Sequence, residues 1–310
     1  MPGHQPVLLQ ETLEALAPNT SKCFIDATFG RGGHTRALLD AGARVVALDQ
    51  DPEAIKVAEQ FMGQWGANQL RIVSMNFRDL QGIADQGERF DGILFDLGVS
   101  SPQLDQGERG FSFMHDGPLD MRMNPESPLT AHEVVNTWDE SELACIFFEY
   151  CEERRSRRVA SAVVKARKKE PLETTTELAE LISAAVGGRR NHKIHPATKC
   201  FQALRICVND ELGSLDQALS VVPSLLKVGG RMAVISFHAL EDRRVKRFIE
   251  KHSQEEIREG SYAFGRPNPD YCFKKLGRWK PSDAEIEVNI RSRSARLRAA
   301  EKVKEVGDGE

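Results

Sequence analysis

The sequence predicts an α/β protein: a parallel sheet flanked by helices, interrupted by a helical insertion. Three observations lead there. Apolar runs of strand length alternate with helix-period segments through the first hundred residues, the pattern of consecutive βαβ units. A glycine-rich turn follows the first apolar run and opens a helix. The alternation stops near residue 110 and resumes near residue 200, with helical periodicity between. A chain of 310 residues is about two domains long. The expected division is 1–109 with 201–310 for the α/β domain, and 110–200 for the helical insertion.

Residues 22–28 (KCFIDAT) read as the first buried strand and residues 34–42 as the first helix. Residues 43–49 (ARVVALD) form the second strand, and Pro52 opens the next helix, where a first-turn proline is tolerated. Residues 70–75 and 90–98 give the third and fourth strands. Residues 99–133, rich in Ser, Pro, Gly and Asp, read as loop, and 139–186 as helical, with a T-x-x-E capping box at Thr174–Glu177. One long helix is expected over 198–227, then a strand at 231–237 after Gly229-Gly230, and a helix at 240–252. A polar loop at 253–272 and strands near 285–290 and 294–301 close the chain.

Composition narrows the class. Hydrophobic residues at 40% and charged residues at 28% exclude wholesale disorder and fibrous repeats. No apolar run approaches the roughly eighteen residues of a membrane span. The start, MPGHQPVLLQETL, has no basic segment, apolar core or small-residue cleavage site. The expected location is the cytoplasm, with no membrane partner. The six cysteines lack metal-site spacing and read as reduced thiols. His192 and His195 form H-x-x-H without a third ligand, so no metal is expected.

The net charge is −4, yet the basic residues are clustered. Residues 181–209 contain no acid, and 154–169 hold eight Lys/Arg and no acid. Such islands can grip phosphates on a mildly acidic protein, or simply be solvated helix faces.

The turn Gly30-Arg31-Gly32-Gly33-His34 carries the clearest chemical signal. Glycines there permit a tight turn, and the amides at the helix start point at a ligand. Asp49, at the end of the next strand, can take both hydroxyls of a ribose. The turn is G-x-G-G rather than G-x-G-x-x-G, with Asp26 just before it. This suits a ligand with an ammonium group better than a pyrophosphate, so S-adenosylmethionine fits better than a nicotinamide dinucleotide, whose dehydrogenases are the rival enzyme class. Phe77, past the third strand, stands where an adenine could stack, or is a core residue. The fourth strand leads into Asp96-Leu-Gly-Val-Ser100-Ser101-Pro102-Gln103. Amino-methylating enzymes commonly place an [Asp/Asn/Ser]-Pro-Pro-aromatic motif there. This segment shares its first half and lacks the aromatic, for which Phe111 or Phe113 are candidates.

The chain resembles the bacterial small-subunit rRNA cytosine-N4 methyltransferases. The resemblance rests on His4-x-Pro6-Val-Leu-Leu-x-Glu11, Asp26-x-Thr-Phe-Gly-Arg-Gly-Gly-His34, Asp91 through Leu104, Arg109-Gly-Phe-Ser-Phe, Gly117-Pro-Leu-Asp-Met-Arg-Met123, His195-Pro-Ala-Thr-Lys and Ile235 through Arg243. It covers nearly the whole chain; Lys199 and Ala239 stand where the family often has Arg and Ser. It implies a Rossmann-like, S-adenosylmethionine-dependent methyltransferase domain with an inserted all-helical substrate-recognition domain. It further implies methylation of one cytidine of 16S rRNA near the peptidyl site of the small ribosomal subunit.

The expected cofactor residues are Gly30, Arg31, Gly32, Gly33, His34, Asp49, Phe77, Asp96 and Gln103, of which Gly30 and Arg31 come from the turn alone. Candidates for handling the target amine are Ser100, Ser101, Pro102 and Asp120, although Asp120 could equally be an ion-pair partner of Arg122. RNA-contact candidates are Arg189, Arg190, Lys193, His195 and Lys199. A non-catalytic RNA-binding assembly factor and a DNA cytosine-N4 methyltransferase are the alternatives. The oligomeric state is open, with a homodimer among the options.

Overall fold

The computed structural model describes residues 6–151, 153–188, 195–257 and 265–306. The chain divides into two compact units, Met1–Gly98 with Gly213–Glu310, and Val99–Leu212. Elements run in order α1 (Leu9–Leu16), β1 (Cys23–Asp26), α2 (Gly33–Asp40), β2 (Arg44–Asp49), α3 (Pro52–Trp65), β3 (Leu70–Ser74), α4 (Gln81–Ala84) and β4 (Phe90–Asp96). The second unit holds α5 (Ser101–Asp105), α6 (Ala131–Thr137), α7 (Glu140–Glu149), α8 (Ser156–Arg167), α9 (Thr175–Ala185) and α10 (Ala197–Asn209). After α11 (Glu211–Leu225) come β5 (Leu226–Ser236), α12 (Ala239–His252), β6 (Glu256–Ile257), β7 (Arg266–Pro267), β8 (Phe273–Trp279), α13 (Asp283–Val288) and β9 (Arg296–Lys302).

The sheet of the first unit has the order β3-β2-β1-β4-β5-β9-β8. Strands β1 to β5 pair in parallel, and β9 and β8 add antiparallel. Both faces are covered. Ile25, Val46, Leu48 and Phe95 join one core cluster, while Phe24, Val45, Ala47 and Leu94 join the other. A strand buried on both faces needs apolar residues at every position, which is why these read as unbroken apolar runs. Strand order reverses between β1 and β4, so the carboxyl ends of these strands form the crevice where such sheets hold ligands.

The second unit is helical, with Leu143, Phe147, Val159, Val163, Leu178, Ile182, Phe201 and Leu204 in its core. Its bounds differ from the expected 110–200. Val99 and Leu104 pack against this core, and Arg109 donates to the carbonyls of Arg122 and Met123 at 3.1 Å each. Helix α10 continues past residue 200 and brings Phe201, Leu204 and Val208 into the same core.

Four local expectations are corrected. The long helix over 198–227 is two helices, because Asp210 turns left-handed (φ 45°) between α10 and α11. Residues 285–290 are not a strand: Ser282 caps α13 by accepting from the Glu285 N–H, with Asp283 and Glu285 in the first turn. The edge strand is instead β8, whose FKKLGRW sequence carries the lysines and arginine that edge strands use to discourage further pairing. The loop reading of 99–133 misses the short α5 and the start of α6, and that of 253–272 misses the β6–β7 pair; 139–186 is helical as expected, as α7 to α9.

Candidate cofactor cradle and active site

Within the sheet unit, the cradle is built at the carboxyl ends of β1, β2 and β4. Asp26, the last residue of β1, is fully buried. Its Oδ2 accepts from the Thr35 hydroxyl at 2.6 Å, and its Oδ1 from the Thr28 N–H at 3.2 Å. These bonds tie the turn to the start of α2. Burial pushes the Asp26 carboxyl up, outweighing the donors that favour its charge. The Thr28 hydroxyl in turn accepts from the Asp96 N–H at 2.6 Å, fixing the end of β4 beside the turn.

Asp49 ends β2. Its Oδ2 accepts from the Gly30 N–H at 2.8 Å and its Oδ1 from the Asp51 N–H at 2.9 Å. Burial pushes its carboxyl up to about 6, despite these two backbone donors. Each oxygen keeps a lone pair for a further donor, so a vicinal diol fits here.

His34 lies in the first turn of α2 and is buried. Its Nε2 stands 3.5 Å from Asp96 Oδ2. Burial works against the imidazolium, but the Asp96 carboxylate, helped by Asp26 and Glu285, lifts its pKa overall. Both His34 ring nitrogens and Asp96 Oδ1 are buried without a hydrogen-bond partner. Buried polar atoms in native proteins are normally satisfied. Unsatisfied ones at a strand-order reversal mark where a polar ligand completes the site, and a zwitterionic amino-acid tail offers both signs needed.

The glycines of the turn divide by role. Gly30 (φ 54°) has open space where a Cβ would stand. Gly32 (φ 74°) does not: a Cβ would come within 2.6 Å of the Phe29 and Phe61 rings. At Gly33 a Cβ would meet Pro6 at 2.3 Å. These two are therefore required by the protein's own packing, and Gly33 gives the N-terminal Pro6 motif a structural purpose. Arg31 is exposed. Phe77 is half-buried after β3, its ring edge-on to Phe95 at 5.8 Å.

The remaining candidates belong to the helical unit. Ser100 caps α5, and the Ser100 N–H donates to Gln103 Oε1 at 2.9 Å, a reciprocal capping box that Ser101 and Pro102 continue. Gln103 is buried and acts as a helix cap. Asp120 forms a two-pronged ion pair with Arg122, at 2.9 Å to Nε and 2.7 Å to the guanidinium nitrogen. Burial would raise its carboxyl, but Arg122 overrides this and holds it below the ordinary carboxylate range. Its neighbour Met121 is fully buried with φ 63°, a left-handed conformation that strains a side chain with a Cβ.

This strained turn is pinned from afar. Asn209 Nδ2 donates to the Met121 carbonyl at 2.8 Å, and Asn209 Oδ1 accepts from the Met123 N–H at 2.8 Å. Arg109 holds the carbonyls of Arg122 and Met123. The sequence reading missed Asn209 altogether, and no local pattern marks it. His195 stacks on Phe113 at 4.7 Å and accepts at Nδ1 from the Ala197 N–H, while Lys199 is exposed. Arg189, Arg190 and Lys193 lie outside the described residues. No helix among the described residues is long and apolar enough to cross a membrane.

The profile of the MraW methylase family matches residues 1–303. A protein of Idiomarina loihiensis named ribosomal RNA small subunit methyltransferase H is 50% identical over 312 residues, covering 98% of each chain. A protein of the same name from Caulobacter vibrioides is 46% identical over 301 residues, covering 96% of this chain and 94% of that one. A solved rRNA methylase from Streptococcus thermophilus aligns with a TM-score of 0.46 at 12% identity, over 97% of this chain and 100% of that one.

Proposed function

The chain belongs to the MraW methylase family, and we propose that it methylates the exocyclic N4 of a cytidine in the 16S rRNA of the small ribosomal subunit. The methyl donor is S-adenosylmethionine, whose sulfonium supplies the methyl group. The observation that carries this reading is the cradle at β1, β2 and β4, with buried, unpartnered atoms of His34 and Asp96. Family membership sets aside the non-catalytic alternative. The names borne by the relatives favour rRNA over DNA as the polymer. Ribosome assembly as the setting supports a cytoplasmic location.

In this reading Asp49 accepts the ribose hydroxyls, Gly30 leaves room for the ligand at the turn, and His34 with Asp96 meets the amino-acid tail. Phe77 offers a ring edge or face to the adenine. The N4 lone pair of cytosine is delocalised into the ring, so the amine must be held in line and its N–H groups drawn toward acceptors. As the N–CH3 bond forms and the S–CH3 bond breaks, the nitrogen becomes cationic and sheds a proton. Asp120, kept ionised by Arg122, serves as acceptor for that N–H, a pairing carboxylates make with the cytosine amino group. Ser100 and Ser101 add hydroxyl and carbonyl oxygens, and Pro102 stiffens the segment that carries them. Oxygens aimed at charge that develops only in the transition state lower the barrier. His195 and Lys199 are proposed to contact the RNA, together with the basic residues near 190.

The test is transfer of labelled methyl from S-adenosylmethionine to small subunits lacking the modification, followed by nucleoside analysis. Label in N4-methylcytidine supports the function. Asp120→Asn should then reduce turnover by about 10²–10⁴-fold, the range for a lost proton acceptor, with cofactor affinity retained. Label in another nucleoside would overturn the assigned acceptor.

A further inference from the structure

Helix α7 has two faces. Leu143, Ile146 and Phe147 are buried, whereas Ser141, Ala144, Cys145 and Phe148, spaced i, i+3, i+4, i+7, line a cavity of about 1030 Å³ together with the start of α8. Phe148 is 60% exposed, an unusual position for a large aromatic side chain with no packing to complete. The opposite wall carries Arg154, Ser156 and Arg157.

The start of α8 departs from helix rules. Its N-cap, Arg155, makes no capping bond, and no acid occupies the first turn. Arg157 instead puts a cation at the positive end of the helix dipole, where the Glu153 carboxylate accepts from the Arg155 N–H at 2.9 Å. Arg154 and Arg157 are exposed and have no ion-pair or hydrogen-bond partner among the described residues. Ser156 is only 6% exposed and lines the cavity. Two unpaired guanidiniums beside a serine in the wall of a groove are arranged to receive an anion.

The groove also holds Asp139 and Glu140 at the start of α7, where the dipole favours acids. Asp139 belongs to a capping box with Glu142. A simple anion site would gain nothing from the aromatic ring or from Glu140. A nucleotide uses all three: a base face for Phe148, a phosphate for the arginines and Ser156, and exocyclic amines for a carboxylate.

We propose that this groove on α7 and the start of α8 binds a nucleotide of single-stranded RNA, stacking its base on Phe148 and holding its phosphate between Arg154, Arg157 and Ser156. The proposal rests on the reading that the chain acts on RNA, and it identifies where strand flanking the methylated base is gripped. It also gives a function to the basic stretch 154–169, which the methyl-transfer chemistry leaves unused.

The probe is a mixed-sequence oligoribonucleotide of about ten nucleotides, a span such surfaces cover, titrated against the full chain at several salt concentrations. Replacing Arg154 and Arg157 together by Ala should weaken binding and shrink the slope of log affinity against log salt by about 0.7, one single-strand phosphate contact. Phe148→Ala should weaken binding about tenfold, and Phe148→Trp should restore it. Thermal melting of each variant checks that the helical unit is intact. Unchanged affinity and slope in both variants, or no binding by the parent chain, would overturn the proposal. So would loss of poly-glutamate binding with RNA binding retained, which would assign the groove to an acidic protein segment. RNA binding with the predicted losses, but no labelled cytidine in the methylation assay, would sink the proposed function and leave this groove standing.

Discussion

The two units treat their polar groups in opposite ways. In the sheet unit, buried atoms at the strand ends are left incomplete: the His34 ring nitrogens and Asp96 Oδ1 lack hydrogen-bond partners, and the Asp49 carboxyl is pushed up by burial. In the helical unit, the backbone turn at 121–123 is saturated by Arg109 and Asn209, while the neighbouring Asp120 carboxylate pairs with Arg122. That unit also carries two exposed guanidiniums without a partner among the described residues, Arg154 and Arg157. The difference teaches where each unit expects its ligand. On the proposed reading, the sheet unit takes a small molecule that enters a crevice, and the helical unit a polymer laid across its surface.

The sharpest way to break this comparison is Asp49→Ala. Losing hydrogen bonds from two hydroxyls to a charged acceptor, at about 1.5–3 kcal/mol each, should cut cofactor affinity by at least about a hundredfold. Calorimetric titration would show it, and melting of the helical unit should be unaffected. An undiminished affinity would remove Asp49 from the site.

Asn209→Ala probes the saturated region. It strips partners from the Met121 carbonyl and the Met123 N–H. A buried unsatisfied group costs about 1–3 kcal/mol, so chemical denaturation should show a loss of roughly 3 kcal/mol. Cofactor affinity should stay at the parent value; a fall there would mean the two units do not divide the work as argued.

The glycines give a smaller, paired effect. Gly32→Ala adds strain at φ 74° and a clash with two rings, and should cost about 2–4 kcal/mol of stability. Gly30→Ala, into open space, should cost only about 1 kcal/mol. Equal losses in the two variants would contradict the packing role assigned to Gly32.

The two units also differed in how far the sequence revealed them. Strands β1 to β4 were readable because burial on both faces writes itself as apolar runs, and the cradle residues sit at fixed short offsets from their ends. Thr28 and Thr35, which anchor Asp26 and Asp96, sit at equally short offsets from β1. The helical unit was read only as helical. The left-handed Asp210 leaves no mark in hydropathy, so α10 and α11 merged. Asn209 reaches Met121 across 88 positions of sequence, a contact no local pattern encodes. Residues 285–290 alternate like a strand, and only the Ser282 cap identifies the helix.

The central proposal is that the half-buried Asp49 carboxylate at the end of β2 holds the ribose of the cofactor. The most direct measurement is S-adenosylmethionine affinity against pH, in the parent chain and in Asp49→Asn. The hydroxyls donate to the ionised form, and the carboxyl sits at about 6. Affinity should therefore be full above pH 7 and fall about tenfold between pH 7 and pH 5. The Asn variant should bind more weakly than the parent at pH 7 and show no such fall. A parent affinity that is flat across this range, or a fall that persists unchanged in Asp49→Asn, would contradict the account.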